Sequence, residues 1–228
     1  MKVRILGVCL LPLLTMVACS SGDLDGPQRE SFDDVRRVSI EVERGEVNLF
    51  GSDRVEGAMI DRWISGEADF ATLSQRNSGG ELIVDSRCNE GGYCDARFDL
   101  AVQRSTRIDA RVKRGELNLY RLLGSVQVEV DEGYLGSHRL AVPHLVANLR
   151  QGRARLHFEK PPAELRLTVG DDASMDVILP PSRYHCHFDV EAPSIELGDL
   201  ECHGQGGDVI RIDPPDASVR FEVVHDDL

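Results

Sequence analysis

Along most of the chain apolar residues alternate with polar ones at a period of two, in short runs closed by Gly, Pro or Asp. Ile40 and Val42, then Val47 and Leu49, flank one turn; Leu117 and Leu119 precede Val126, Val128 and Val130 around the next. Leu145, Ala147 and Leu149 follow, then Leu165, Leu167 and Val169, Val177 and Leu179, Ile195 and Leu197, Val209 and Ile212, and Val219, Phe221 and Val223. Successive strand side chains leave opposite faces, so this alternation predicts half-buried strands. The helical period is met in one stretch, Gly66 to Gln75, where Ala68, Ala71, Thr72 and Leu73 predict a short helix.

The pattern also repeats. Arg44-Gly45-Glu46-Val47-Asn48-Leu49-Phe50 returns as Arg114-Gly115-Glu116-Leu117-Asn118-Leu119-Tyr120, and more loosely as Gln151-Gly152-Arg153-Ala154-Arg155-Leu156-His157. Gly115, Gly133, Gly152 and Gly170 fall 18, 19 and 18 residues apart. A fixed period near twenty points to stacked units, none of which buries its own apolar face. The sequence therefore predicts an all-β, single-domain β-solenoid over residues 37–228. Its rungs have two strands and about 19 residues, with glycine at turns that need positive φ. The alternative is an antiparallel β-sandwich, which shares the alternation and the turn spacing. The pairs Pro161-Pro162, Pro180-Pro181 and Pro214-Pro215 fit strand ends, where a missing N–H is tolerated.

The amino terminus breaks this pattern. Lys2 and Arg4 precede an apolar stretch from Ile5 to Ala18, which suits a secretory signal and is too short to span a bilayer. It ends in Met16-Val17-Ala18-Cys19, which resembles the lipobox of bacterial lipoproteins, with Met where Leu is usual. That resemblance implies a signal peptide at 1–18 and a lipid-bearing Cys19. Acyl chains contribute about 0.8 kcal/mol per buried CH₂, enough to anchor the protein without a spanning helix. Ser20 and Ser21 stand where inner-membrane lipoproteins often carry Asp, so the resemblance implies the outer membrane. Residues 19–36 read as a polar, flexible tether.

With Cys9 in the signal and Cys19 carrying lipid, Cys88, Cys94, Cys186 and Cys202 remain, an even set that suits disulfides in an exported protein. Three pairings exist. Cys88–Cys94 with Cys186–Cys202 closes the smallest loops, and Gly91-Gly92 suits a hairpin tip at the first. A metal is the sharper alternative, since His185, Cys186, His187, Cys202 and His203 are all potential ligands. On a strand, however, His185 and His187 share one face and Cys186 points to the other.

The repeated Arg-Gly-Glu-(Val/Leu)-Asn-Leu turns, the Gly-bounded strands and the export signal resemble the bacterial putative-adhesin family with a toastrack-like β-solenoid, over about residues 36–225. The cysteine pairs depart from its usual pattern. The resemblance implies a non-catalytic envelope protein of adhesin-like or interaction role, partnered by the membrane and by an envelope protein or glycan, with no catalytic residue to carry over.

Composition narrows the partners. The 228 residues carry 26 basic and 39 acidic side chains, a net charge of −13, which argues against nucleic acid. Cleavage after Ala18 removes Lys2 and Arg4, leaving 24 basic against 39 acidic side chains, or −15. No nucleophile elbow, phosphate loop or dinucleotide fingerprint is present, and no cofactor is implied. The acidic pairs Asp33-Asp34, Asp131-Glu132, Asp171-Asp172 and Asp226-Asp227 read as turn residues. A glycan-active enzyme of the β-helix type, built on Asp171 and Asp172, is the alternative, as is a metal-binding module around His185 and His203; calcium at Asp171, Asp172 and Asp176 is a separate reading with no spacing signature behind it. Trp63 reads as core. Tyr184 with His185 and His187 offers a ligand groove, and Arg150, Arg153, Arg155 and Arg166 a basic ridge or a set of cross-strand ion pairs.

Overall fold

The computed structural model describes residues 27–66, 71–88, 94–188, 195–203, 207–213 and 218–224. The signal peptide, Cys19 and Asp226-Asp227 lie outside them, as do Pro214-Pro215 and the Gly91-Gly92 turn. In chain order the strands are β1 (Gln28–Phe32), β2 (Arg37–Ser52), β3 (Ala58–Gly66), β4 (Ala71–Ser78), β5 (Glu81–Cys88), β6 (Cys94–Gln103) and β7 (Arg107–Tyr120). They continue as β8 (Val126–His138), β9 (His144–His157), β10 (Glu164–Leu179), β11 (Tyr184–Phe188), β12 (Ile195–Glu196), β13 (Asp208–Asp213) and β14 (Ser218–Val223). The fold is all-β, one open sheet of many strands. Of the helix expected from Gly66 to Gln75, residues 67–70 lie outside the described residues, and residues 71–75 belong instead to β4 (Ala71–Ser78), antiparallel to β5, because edge pairing outweighs a weak local helical pattern.

Strands β2, β7, β8, β9 and β10 lie side by side and parallel, which excludes the antiparallel sandwich. Ile108, Val126, Leu145 and Leu165 stand opposite one another at intervals of 18, 19 and 20 residues. Each ribbon bends once, so one rung consists of two leaves. The side-chain parity records the bend: Val38, Ile40 and Val42 point inward before it, Val47 and Leu49 after it. The same switch separates Ile108, Ala110 and Val112 from Leu117 and Leu119. Inward residues of both leaves form a single core, joined by Leu122, Leu140, Val142 and Phe158 from the connections. Each buried Val or Leu contributes about 1.5–3 kcal/mol, and it is the neighbouring rungs that exclude its water.

The bend is a ladder of glycines. Gly45, Gly115, Gly133 and Gly152 are in register, with φ of 142°, 136°, 139° and 113°. A Cβ on Gly115 would overlap the Gly45 carbonyl oxygen, and one on Gly133 the Gly115 oxygen. The ladder stops at Gly152. Gly170 has no positive φ; it falls in an irregularity between Val169 and Asp172, and Ala173 takes the place opposite Gly152.

Rung order departs from chain order at both ends. The first leaf of β2 pairs with β5 and the second with β6, so β5 and β6 form one rung outside β2. Cys88–Cys94 therefore staples the corner of a rung rather than a hairpin tip, since β5 and β6 are not paired with each other. Antiparallel strands cover this end: β3 on β6, β1 on β3 and β4 on β5. At the other end β13 and β14 pair with the two leaves of β10, and β11 and β12 lie outside them. Cys186–Cys202 ties down that outermost rung.

Tyr184, the first residue of β11, is 1% exposed, and its hydroxyl donates to the Pro180 carbonyl at 2.6 Å. Burial, aided by Asp208, pushes its phenol well above its ordinary value of 10.0. The fold thus favours the protonated phenol; that stabilisation is complete below about pH 10 and is lost as pH rises further. Tyr184→Phe is expected to cost about 1 kcal/mol at neutral pH and to remove part of the alkaline decline in the denaturant midpoint. An identical alkaline decline in both proteins would contradict this role.

Candidate functional site

The two outer faces of the column differ. On the first leaf many outward charges meet an opposite charge nearby. Arg37 meets Glu81 and Asp109, and Arg111 meets Glu129 and Asp131, across the rungs, while Arg166 meets Glu164 on its own strand; Arg107 and Arg211 have no ion pair among the described residues. Asp131, 8% exposed, also faces Arg150 at 3.7 Å, so Asp131 works inside an ion-pair network at the corner rather than as a turn residue.

On the second leaf the outward positions form columns that change character along the axis. One column runs Trp63, Arg97, Glu46, Glu116, Tyr134, Arg153, Ser174 and Ser218. The next runs Asp61, Asp99, Asn48, Asn118, Gly136, Arg155, Asp176 and Arg220. The N-terminal part is internally satisfied. Asn118 donates to Asn48, and Asn48 to Glu46 and Asp99, which explains how Asn48 can be 4% exposed. Arg97 pairs with Asp99 and lies over Trp63, 5.2 Å from its centroid. Trp63 is thus a half-buried face residue and not core, because β3 places it across from Arg97 on the outer side.

The C-terminal part is a shallow open groove of about 380 Å³. Tyr134, Arg153, Arg155, Ser174, Asp176, Ser218 and Arg220 line it, with Ala154 and Met175 in its floor. Arg220 is fixed by Glu196, Nε to Oε2 at 2.8 Å, a contact that raises its pKa further. Arg153 and Arg155 have neither an ion pair nor a side-chain hydrogen bond among the described residues. They leave the same face of β9 about 7 Å apart, as i and i+2 on a strand do. Of the expected basic ridge, Arg150 and Arg166 are ion-paired, while Arg153 and Arg155 open onto the groove.

The other expected sites are not brought together. Both disulfides form in the nearest-neighbour pairing. His185 and His187 share a face as expected, ring centroids 4.3 Å apart. The His185 Nδ1 lies 2.9 Å from the His203 carbonyl oxygen, so that nitrogen carries the proton, while the His203 ring faces Glu201. Among the described residues no group of three or more His, Cys, Asp or Glu is placed to hold a metal. Tyr184 is buried and borders a different hollow, with Ser182, Asp199 and Leu200, whose described lining includes neither His185 nor His187. Asp172 accepts from Gln151 at the corner, and Asp171 sits in the irregularity beside it; neither lines the groove, whose described carboxylate is Asp176. Glycoside hydrolysis commonly uses two carboxyl groups, and the described lining of this groove holds one.

No family model and no curated protein matches the chain. Among solved structures, a putative cell adhesion protein from Clostridium sporogenes is similar at 8% identity and a TM-score of 0.45, over 87% of this chain and 100% of that one. A putative lipid binding protein from Parabacteroides distasonis is 10% identical, with a TM-score of 0.34 over 88% and 95% of the two chains. A putative adhesin from Bacteroides fragilis is 10% identical, with a TM-score of 0.33 over 87% and 93%.

Proposed function

We propose that the chain is a lipid-anchored protein of the cell envelope, non-catalytic and adhesin-like, whose second leaf is its binding face. The observation that carries this reading is the groove. Among the described residues Arg153 and Arg155 form no ion pair and no side-chain hydrogen bond, and β9 holds them two positions apart on its outer side beside Tyr134. Their strand backbone needs no ordering when a partner arrives. The two disulfides suit an extracellular or envelope-exposed protein. Met16-Val17-Ala18-Cys19 supplies the anchor in this reading, and Ser20-Ser21 favour the outer membrane.

Two experiments test the halves of the proposal. The Cys19→Ser chain is expected to leave the membrane fraction and to lack the acyl mass found on the mature wild-type terminus; unchanged fractionation would remove the anchor. Detergent-solubilised wild-type chain is expected to retain an envelope component that Arg153→Glu does not, and equal retention by both would remove the second leaf as the binding face.

A further inference from the structure

The groove also specifies what kind of ligand it takes, an inference that rests on the second leaf being the binding face. Its groups are of three kinds. Arg153 and Arg155, without an ion pair among the described residues, are cations on neighbouring outward positions of one strand. Ser174 and Ser218 are hydroxyls in register with Arg153 across two successive rungs. Asp176 stands in register between Arg155 and Arg220, within the field of Arg220, and forms no ion pair with either among the described residues. A ligand for this set must offer an anion to the arginines and hydroxyl donors to Asp176. A multiply charged phosphate meets only the first demand, and Asp176 repels it. A polyhydroxylated carboxylic acid meets both, since guanidinium binds carboxylate through two parallel N–H donors. Tyr134, at the edge of the same groove, adds an aromatic face for the apolar side of a sugar ring.

The surroundings limit its length. Beyond Tyr134 the columns pass into Glu116, Glu46 and Asp99, and beyond Arg220 into Glu196, with Glu222 one column over. A long polyanion lying on this face would meet the Glu116 carboxylate just beyond Tyr134 and Glu222 beside the other end, while Glu46 and Asp99 are already paired with Arg97 and Glu196 with Arg220. The cavity, about 380 Å³, lies at the lower end of the range of about 300–1,000 Å³ that small-molecule sites occupy. We infer that the groove binds a short saccharide with one carboxylate. Arg153 and Arg155 hold the acid, Tyr134 packs against the ring, and Ser174, Ser218 and Asp176 take the hydroxyls.

Such a sugar acid can be a uronic acid or a sialic acid, and the test separates them. The full chain in detergent is titrated calorimetrically with a glucuronic-acid-terminated disaccharide, with sialyllactose, with the glucose-terminated counterpart of the first, with lactose, and with inorganic phosphate. At least one acidic sugar is expected to bind about tenfold or more tighter than its neutral counterpart and than phosphate. Which one binds names the source. Arg153→Gln and Arg155→Gln are each expected to weaken it about tenfold, and Tyr134→Ala several-fold, with Tyr134→Phe close to wild type. These side chains lie on the outer face, so an unchanged denaturant midpoint in each variant shows that binding and not folding was altered. Equal binding of the neutral sugar, equal binding of phosphate, or failure of both acidic sugars overturns the inference. If both acidic sugars fail while wild-type chain still retains an envelope component that Arg153→Glu loses, the ligand class alone is wrong. If that retention fails too, the binding-face reading falls with it.

Discussion

Gly115→Val is expected to lower stability by about 3 kcal/mol or more. The residue sits at φ 136°, where a branched side chain is strained by about 1–3 kcal/mol. Its Cβ would also overlap the Gly45 carbonyl oxygen in the adjoining rung, and relieving that contact means separating β2 from β7 along the whole corner. Gly79→Ala is the comparison. Gly79 also has positive φ, at 63°, but no atom lies within 4 Å of the added Cβ, so backbone strain of about 1 kcal/mol is the whole effect. Chemical denaturation of the two variants beside wild type measures the difference. Equal losses would mean that the glycine ladder is not held by close approach between rungs.

Reduction of the two disulfides is expected to have the next largest effect. Each closes a short loop, 6 and 16 residues in separation, and loops of that size contribute about 2–3 kcal/mol apiece through the unfolded chain. Their placement adds a local consequence. Cys88–Cys94 lies in the outermost parallel rung at one end and Cys186–Cys202 in the outermost at the other, where a rung has one parallel neighbour in place of two. Cys88→Ser with Cys94→Ser, and separately Cys186→Ser with Cys202→Ser, are each expected to lower the guanidinium midpoint, with roughly additive losses because the sites lie at opposite ends. A midpoint unmoved by both pairs would show that the ends are held by something else.

Much of the column is legible in the sequence because the same physics recurs at every rung. Alternation gives the inward Val and Leu, and the glycine interval gives the corners. The heptapeptides at Arg44 and Arg114, seventy residues apart in the chain, prove to be neighbours in register. What escapes is long-range. Nothing local tells that β5–β6 stacks outside β2, or that β13–β14 inserts between β10 and the rung of β11 and β12, since several parallel orders bury the same apolar faces. Gly170 fits the interval but not the ladder, because one extra residue at the corner shifts the register. Arg121 and Arg139 take left-handed φ of 54° at equivalent points of successive rungs, where glycine would be the expected residue.

The groove did leave a trace. In the third, looser copy of the repeat, Gly-Glu-Val-Asn has become Gly152-Arg153-Ala154-Arg155. In register, the positions that hold Glu46 and Asn48 in a satisfied network hold on β9 two guanidiniums with no ion pair among the described residues. A departure from an internal repeat marks the exposed site, just as agreement with it marks the core. Its other walls, Tyr134, Ser174 and Ser218, come from three different rungs and are united by stacking alone.

The stacked column itself is tested most directly by amide hydrogen exchange on the intact, oxidised chain, read strand by strand and then repeated after reduction. If stability passes between neighbouring rungs, the slowest exchange lies in β7, β8 and β9 and quickens toward β4–β5 and β11–β12, and reduction speeds the ends while sparing the middle. Protection that is highest at either end, or that falls everywhere together on reduction, would contradict a column built rung upon rung.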